Sequence, residues 1–598
     1  MAKFTDAKIL KYALIPVLTV VFLALYPQIN LLVSKGSSWH GAYFVSNYDE
    51  VAYSAYVNAL IEGSPRRYDP YLATETSYES LYSIQAVPAY SIAVPARLLG
   101  LSASTAFILL ALLSAAFSAS FIFWLLFELT EDGLLSAAGV LVICGLGTAA
   151  AFQGELRSLI EGRVLVDYLP FLRRYQPGFA FPLYFLFCGS VWLSLGAQSR
   201  KKAVLFSLIG GGVFGLLVFS YFYLWTAAAA WLGCVYVLTL TLNRSNVKNI
   251  FINAGVIGVA AVASLIPYFD LLSERSPNVD AVQLLTNTHL PNFASPSLII
   301  GLLVATGIAV FAWRGKINIR RPRTLFALAF ALTPVVLFNQ QILTGRSLQP
   351  VHYEIFISNY LVLVAAVLLI SLVTEPAAGS ERGPAVRRAF VYIAVIAAGW
   401  GIVEAAGSTR RNSQFADLRD LSVPALRLIG ERTKQNTDGP PVVLATNFVT
   451  ADFVPTVGNF RPLWSSHTTS AGGVSIAENK RLFYCYLYYS GFSDMDLLEA
   501  LRVNSFEVTA AIFGSERALP ALASHAAPIT AQEITAEAKL YSDFAKGFDA
   551  ATASNPVLSY IIVPAEGENN FTSLDRWYER DAGTQAGLFK VYRVTVRR

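Results

Sequence analysis

The sequence predicts a polytopic α-helical membrane protein with about eleven transmembrane helices and a C-terminal α/β domain on the outer face. Of its 598 residues, 55% are hydrophobic and only 14% charged, and the mean hydropathy is +0.49. The apolar residues gather in runs of about 20, the length at which a helix crosses a hydrocarbon core about 30 Å thick. After residue 407 the texture changes to mixed polar and apolar. This composition excludes a soluble enzyme. The net charge of +5 is spread over short loops, so membrane lipids are expected partners and nucleic acid is not.

The apolar runs lie near residues 12 to 34, 104 to 127, 134 to 153, 178 to 197, 203 to 220, 222 to 241, 250 to 269, 295 to 313, 325 to 342, 355 to 373 and 389 to 406. Lys3, Lys8 and Lys11 precede the first, as in a signal peptide, but the run is too long and no small-residue cleavage site follows. It is therefore expected to remain as an anchor. The loops "SRKK" (199 to 202), "NRSNVK" (243 to 248), "RGKINIRRPR" (314 to 323) and "ERGPAVRR" (381 to 388) are basic and fall on one side if the N-terminus is cytoplasmic. That orientation places the chain in the cytoplasmic (inner) membrane as a multi-pass protein with residues 407–598 outside, in the periplasm or its equivalent. The expected division is 1–406 for the membrane domain, including an outer loop at 35–103, and 407–598 for the outer domain.

In the outer domain "PVVLA" (441 to 445) and "LSYIIV" (558 to 563) read as strands, and "DRWYERDAGTQAGLFKVYRVTV" as a helix or turn followed by a last strand. "WSSHTTSAGG" (464 to 473) places Ser, His and Thr together without a partner acid, and acceptor binding or assembly is the expected role of this domain. "GGGVFG" (210 to 215) has the glycine spacing of a dinucleotide fingerprint but lies inside an apolar run, where close helix packing explains it. Cys144, Cys188 and Cys234 sit in apolar runs and Cys485 is alone in the outer domain, while the histidines are scattered without zinc spacing.

The most informative stretch is "VSNYDEVAYSAYVNALIEGSPRRYDPY", residues 45 to 71. Tyr53, Val57, Leu60 and Ile61 share one helical face and Ser54, Asn58 and Glu62 the other, which predicts a short amphipathic helix at the membrane interface. Asn47 is placed to cap it and Glu50 to complete a capping box, and both Asp49 and Glu50 favour the positive end of its dipole. Capping accounts for one acid. A second, at a membrane surface, suits a general base taking a proton from an acceptor. Asp69, before Pro70, reads as a turn residue.

The "YDE" of residues 48 to 50, the helix after it and the many-span topology with an outer C-terminal domain resemble the GT-C superfamily of lipid-linked-sugar glycosyltransferases. The resemblance implies an inverting enzyme that moves a sugar from a polyprenyl-phosphate carrier to an acceptor glycan, lipid or protein on the outer face. Asp49 would be the preferred base and Glu50 its alternate or orienting partner. Cations to hold the departing phosphate are expected from other outer loops: Arg157, Arg163, Arg173 and Arg174 in the loop 154 to 178, and Arg346 and His352, with Glu354, in "TGRSLQPVHYE" (344 to 354). Arg173 and Arg174 would otherwise meet lipid headgroups. The sequence assigns no cofactor. A divalent metal is compatible with Glu155, Asp167 and Asp270, though their spacing does not demand one. The rival classes are a transporter or flippase, expected to carry charges near mid-membrane or paired repeats, and a non-catalytic subunit with the same scaffold.

Overall fold

The computed structural model describes residues 7–164, 166, 169–244, 247–276, 278–375, 383–434, 439–519 and 526–597. Among these, ten helices are long and apolar enough to cross a membrane. The expected run at 178 to 197 forms a shorter apolar helix, Ala180–Leu195, and completes the eleven. Internal contacts divide the chain into one unit of Met1–Asn30, Ile108–Asp270 and Asn287–Asn412 and another of Leu31–Phe107, Leu271–Thr286 and Ser413–Arg598. The helix Gly383–Thr433 is continuous across residue 406, so the last apolar run and the first turns of the polar region are one element.

The first unit is a helical bundle. Ala180–Leu195 packs on Arg200–Val218, and Pro322–Leu337 packs on Phe222–Leu242, Pro296–Trp313 and Asn359–Thr374. The glycine-rich run lies within Arg200–Val218, and a Cβ at Gly211 would come 2.8 Å from the Ala260 Cβ on the helix Val247–Ser273. Close helix packing is thus what Gly211 and Gly215 permit, the latter with Ser264 Oγ 2.8 Å from an added Cβ, as expected. Trp231 stacks on Phe330 at 5.1 Å, filling the space between two of these helices.

The second unit is built around a sheet. Its strands are β1 (Val442–Ala445), β2 (Arg461–Pro462), β3 (Tyr560–Pro564), β4 (Tyr578–Arg580), β5 (Thr584–Ala586) and β6 (Phe589–Val596). The order is β2-β1-β3-β6-β4, with β5 also on β6; β1 pairs parallel with β2 and β3, and the remaining pairs are antiparallel. Alternate side chains enter two cores. Val443, Ala445, Tyr560 and Ile562 join Val423, Leu426 and Ile429 of the long helix, while Val442, Leu444, Ile561 and Val563 join Leu482, Phe483 and Tyr486. Burial on both faces is why β1 and β3 read as unbroken apolar runs. The C-terminal segment forms three strands after its short helix Thr572–Asp575 where the sequence suggested one.

The loop 35–103, expected on the outer face, belongs to this second unit. Asp420 accepts from the backbone N–H of His40 (3.0 Å) and Ala42 (3.1 Å), pinning the chain that leaves the first apolar helix. The expected interfacial helix forms over Glu50–Ile61, but it is not half-exposed: Glu50 through Leu60 are all buried. The polar face is covered because Asn58 donates to the Pro455 carbonyl (3.2 Å) in the turn Val454–Thr456, which packs on this helix.

Candidate functional site

The helix Glu50–Ile61 begins two residues later than a cap at Asn47 would give. The Asn47 side chain accepts from the Asp49 N–H (3.1 Å), and Asp49 occupies the cap position without a side-chain cap bond. The Glu50 carboxylate reaches back to the Ser46 N–H (3.1 Å), the capping-box geometry displaced by one residue. Glu50 is thereby buried and tied to backbone, whereas Asp49 stays partly exposed. The two acids are physically different groups. Asp49 is close enough to Tyr82 to act on it: burial first, then Tyr53 and Asp49, hold the Tyr82 phenol well above its ordinary range.

Behind this turn lies a buried polar cluster. His467 Nδ1 bonds the Asp452 carboxylate (2.7 Å to Oδ2), and the His467 backbone N–H donates to Asp452 Oδ1 (3.2 Å). Arg419 is fully buried, with Nη2 3.8 Å from Asp452 Oδ2 and its guanidinium 4.2 Å from the Phe415 ring centre and 5.4 Å from that of Phe453. The Tyr48 ring stacks on His467 at 4.2 Å. Burial, then Asp452, pushes the Tyr48 phenol up, so it stays protonated. The partner acid that "WSSHTTSAGG" lacks is therefore Asp452, fifteen residues upstream. Nothing in the local sequence marks it, because the pair forms only when the helix Phe448–Phe453 folds against the 465–470 turns.

Asp69 is a turn residue as expected: Oδ1 accepts from the N–H of Tyr71 (2.9 Å) and Leu72 (3.3 Å). Burial pushes its carboxyl up to about 6, against the lowering pull of those two bonds and of Arg461. A raised carboxyl pKa means that the neutral form stabilises the fold. That stability is full below the unfolded value of about 3.9 and is lost as pH rises through about 6. Asp69→Asn keeps the accepting oxygen without the buried charge. It should exceed the parent by about 2 to 3 kcal/mol at pH 8 and match it near pH 4, read as melting temperature across pH. An unchanged difference between the two pH values would contradict this account.

The expected cations are dispersed within the first unit. Arg163 is exposed and pairs with Glu161 (3.0 Å), which also holds Arg157. Arg346 is exposed, at the start of the short strand Arg346–Leu348. Glu354 is buried and its carboxylate is engaged by the Ser295 hydroxyl and by Ser297 (N–H 2.9 Å, Oγ 2.8 Å), at the N-terminus of Pro296–Trp313. Arg173 and Arg174 are buried rather than lying among lipid headgroups. Arg173 donates to the Gln176 carbonyl (2.6 Å), lies 4.8 Å from the Phe356 ring centre and acts electrostatically on His352. His352 packs edge-on against Tyr223 (4.7 Å), and its Nδ1 is buried without a hydrogen-bond partner among the described residues. Arg173 and His352, both expected phosphate ligands, pack on the same Phe356 ring, at 4.8 and 5.1 Å from its centre.

Of the carboxylates open to a metal, Glu155 pairs with Arg411, Asp270 is exposed at the end of an apolar helix, and Asp167 lies outside the described residues. No three His, Cys, Asp or Glu side chains converge as a metal site among the described residues.

These features define a multi-pass membrane protein of the GT-C fold with a sheet-centred second unit that incorporates the loop bearing Asp49. In particular, the chain is similar to the Archaeoglobus fulgidus oligosaccharyltransferase in its apo form, at 12% identity and a TM-score of 0.51, over 97% of this chain and 74% of that one. It also aligns with ArnT from Cupriavidus metallidurans bound to undecaprenyl phosphate, at 12% identity and a TM-score of 0.46, over 95% of this chain and 97% of that one. No family model matches the chain, and no curated protein matches it by sequence.

Proposed function

We propose that the protein is an inverting glycosyltransferase that uses a polyprenyl-phosphate-linked sugar on the outer face of the cytoplasmic membrane, with a glycan, lipid or protein as acceptor. The observation that carries this reading is the unequal pair at 49 and 50: Glu50 is committed to the Ser46 backbone, while the adjacent Asp49 is partly exposed. In the proposed step an acceptor heteroatom attacks the anomeric carbon as its proton passes to the Asp49 carboxylate. The bond from that carbon to the phosphate oxygen breaks, and polyprenyl phosphate leaves with the electron pair. The fold shared with an oligosaccharyltransferase supports the reading as analogy.

Turnover is tested with the full-length protein in lipid nanodiscs, using lipid-linked sugars extracted from the source membranes and a solubilised envelope fraction as acceptor. Release of polyprenyl phosphate that depends on the protein and the acceptor is expected. Its absence, with movement of labelled lipid between leaflets, would favour the transporter class.

Arg173 and His352 are proposed to hold the carrier phosphate. Arg173→Ala should weaken binding of undecaprenyl phosphate about ten- to a hundredfold, the loss of one charge-assisted bond of about 1.5 to 3 kcal/mol. Arg346→Ala should have a smaller effect; the reverse order would return the phosphate to Arg346. For orientation, an impermeant thiol reagent added outside should label a cysteine at Glu568, which is exposed, and spare one at Lys316. Glu568 is preferred to its neighbour Gly567, whose φ of +98° a cysteine would strain. Labelling at Lys316 with protection at Glu568 would invert the topology.

A further inference from the structure

Tyr48 immediately precedes Asp49, and its carbonyl accepts from the Val51 N–H (3.2 Å) in the first turn of the helix. Where the Tyr48 ring sits therefore fixes where the Asp49 backbone sits. The ring's stacked partner is His467, at 4.2 Å and 28° between planes, with Phe415 and Phe506 further off at 6.4 and 6.5 Å. His467 is held directionally through Nδ1 by Asp452, and its Nε2 is buried without a hydrogen-bond partner among the described residues. Asp452 in turn is electrically balanced by Arg419. The arrangement is a chain of contacts, Arg419 to Asp452 to His467 to Tyr48, ending at the peptide that carries Asp49.

We propose that His467, oriented by Asp452 and pressed against Tyr48, is a positioning residue for Asp49. This deepens the reading of Asp49 as the base and rests on it. A carboxylate accepting a proton from a nucleophile depends steeply on placement, and a shift of about 1 Å can cost about a hundredfold in rate. The role belongs to Nδ1, because that nitrogen makes the bond to Asp452. An asparagine amide can stand at the position of Nδ1, whereas a glutamine amide extends to that of Nε2.

The experiment measures release of polyprenyl phosphate by the full-length protein in nanodiscs, with undecaprenyl phosphate as the binding probe. His467→Ala is expected to lower kcat about a hundredfold and leave the Kd for the probe unchanged. His467→Asn should recover at least about tenfold of that loss, and His467→Gln should not. Tyr48→Ala, acting from the other side of the stack, should reproduce the loss if His467→Ala fails to fold. In an Asp49→Asn background, His467→Ala should add no further loss. A kcat for His467→Ala within about threefold of the parent, equal rates for the Asn and Gln variants, or a full additive loss in the double variant would overturn the proposal. Full turnover by Asp49→Asn would overturn the base assignment and this proposal together; loss there with full turnover by His467→Ala would overturn this one alone.

Discussion

Asp49→Asn is expected to lower transfer by about two to four orders of magnitude while leaving folding and binding of the carrier phosphate intact. Asparagine keeps the size and can still accept a hydrogen bond, so the change isolates proton acceptance. If the residue served only the positive end of the helix dipole, the loss would be about 0.3 to 1 kcal/mol of stability and no change in rate. Glu50→Gln should behave differently. Its carboxylate bonds the Ser46 N–H in a buried setting, and the amide oxygen can keep that bond. A modest fall in melting temperature with transfer largely retained is therefore expected. Full activity of both single variants and of the double variant would leave this stretch as a helix start alone, and the scaffold or transporter class would then be the better account.

The largest effect on stability is expected at Arg419. Its guanidinium is fully buried between Phe415 and Phe453 and is the cation that faces Asp452. Arg419→Ala removes that charge and leaves the buried carboxylate beside His467 without its facing cation, a change that typically costs about 3 to 5 kcal/mol. For a unit of this size the melting temperature should fall by about 6 to 20 °C. Arg419→Met combined with Asp452→Asn should be less destabilised than Arg419→Met alone, because the second change removes the stranded charge. A melting temperature within about 2 °C of the parent for Arg419→Ala would show that Asp452 does not depend on this arginine.

The apolar helices were legible because crossing a membrane is a local requirement: about 20 apolar residues in a row satisfy it whatever surrounds them. All eleven expected runs form helices, ten of them long enough to span by composition and length. The strands β1 and β3 were legible for a related reason, since burial on both faces leaves a short unbroken apolar run. The helix after Asp49 was legible as a helix. Its setting was not, because Ser54 and Asn58 imitate a solvent-facing stripe although both are buried, with Asn58 bonded to the Pro455 carbonyl.

What the sequence by itself determined was therefore the membrane class, the number and place of the helices, and the presence of an acidic pair in the loop after the first apolar helix. Those follow from composition and from neighbours along the chain. Tertiary structure alone decided the burial of Glu50 beside a partly exposed Asp49, and which cation shares the Phe356 ring with His352. It also supplied the acid that faces His467. Residues far apart in the chain set such surroundings: Arg173 and His352 pack on the same Phe356 ring, and His40 meets Asp420 from 380 positions away. Desolvation and charge pairing act through space, so a sequence read by local pattern can show which groups are present but not which of them burial will set against one another.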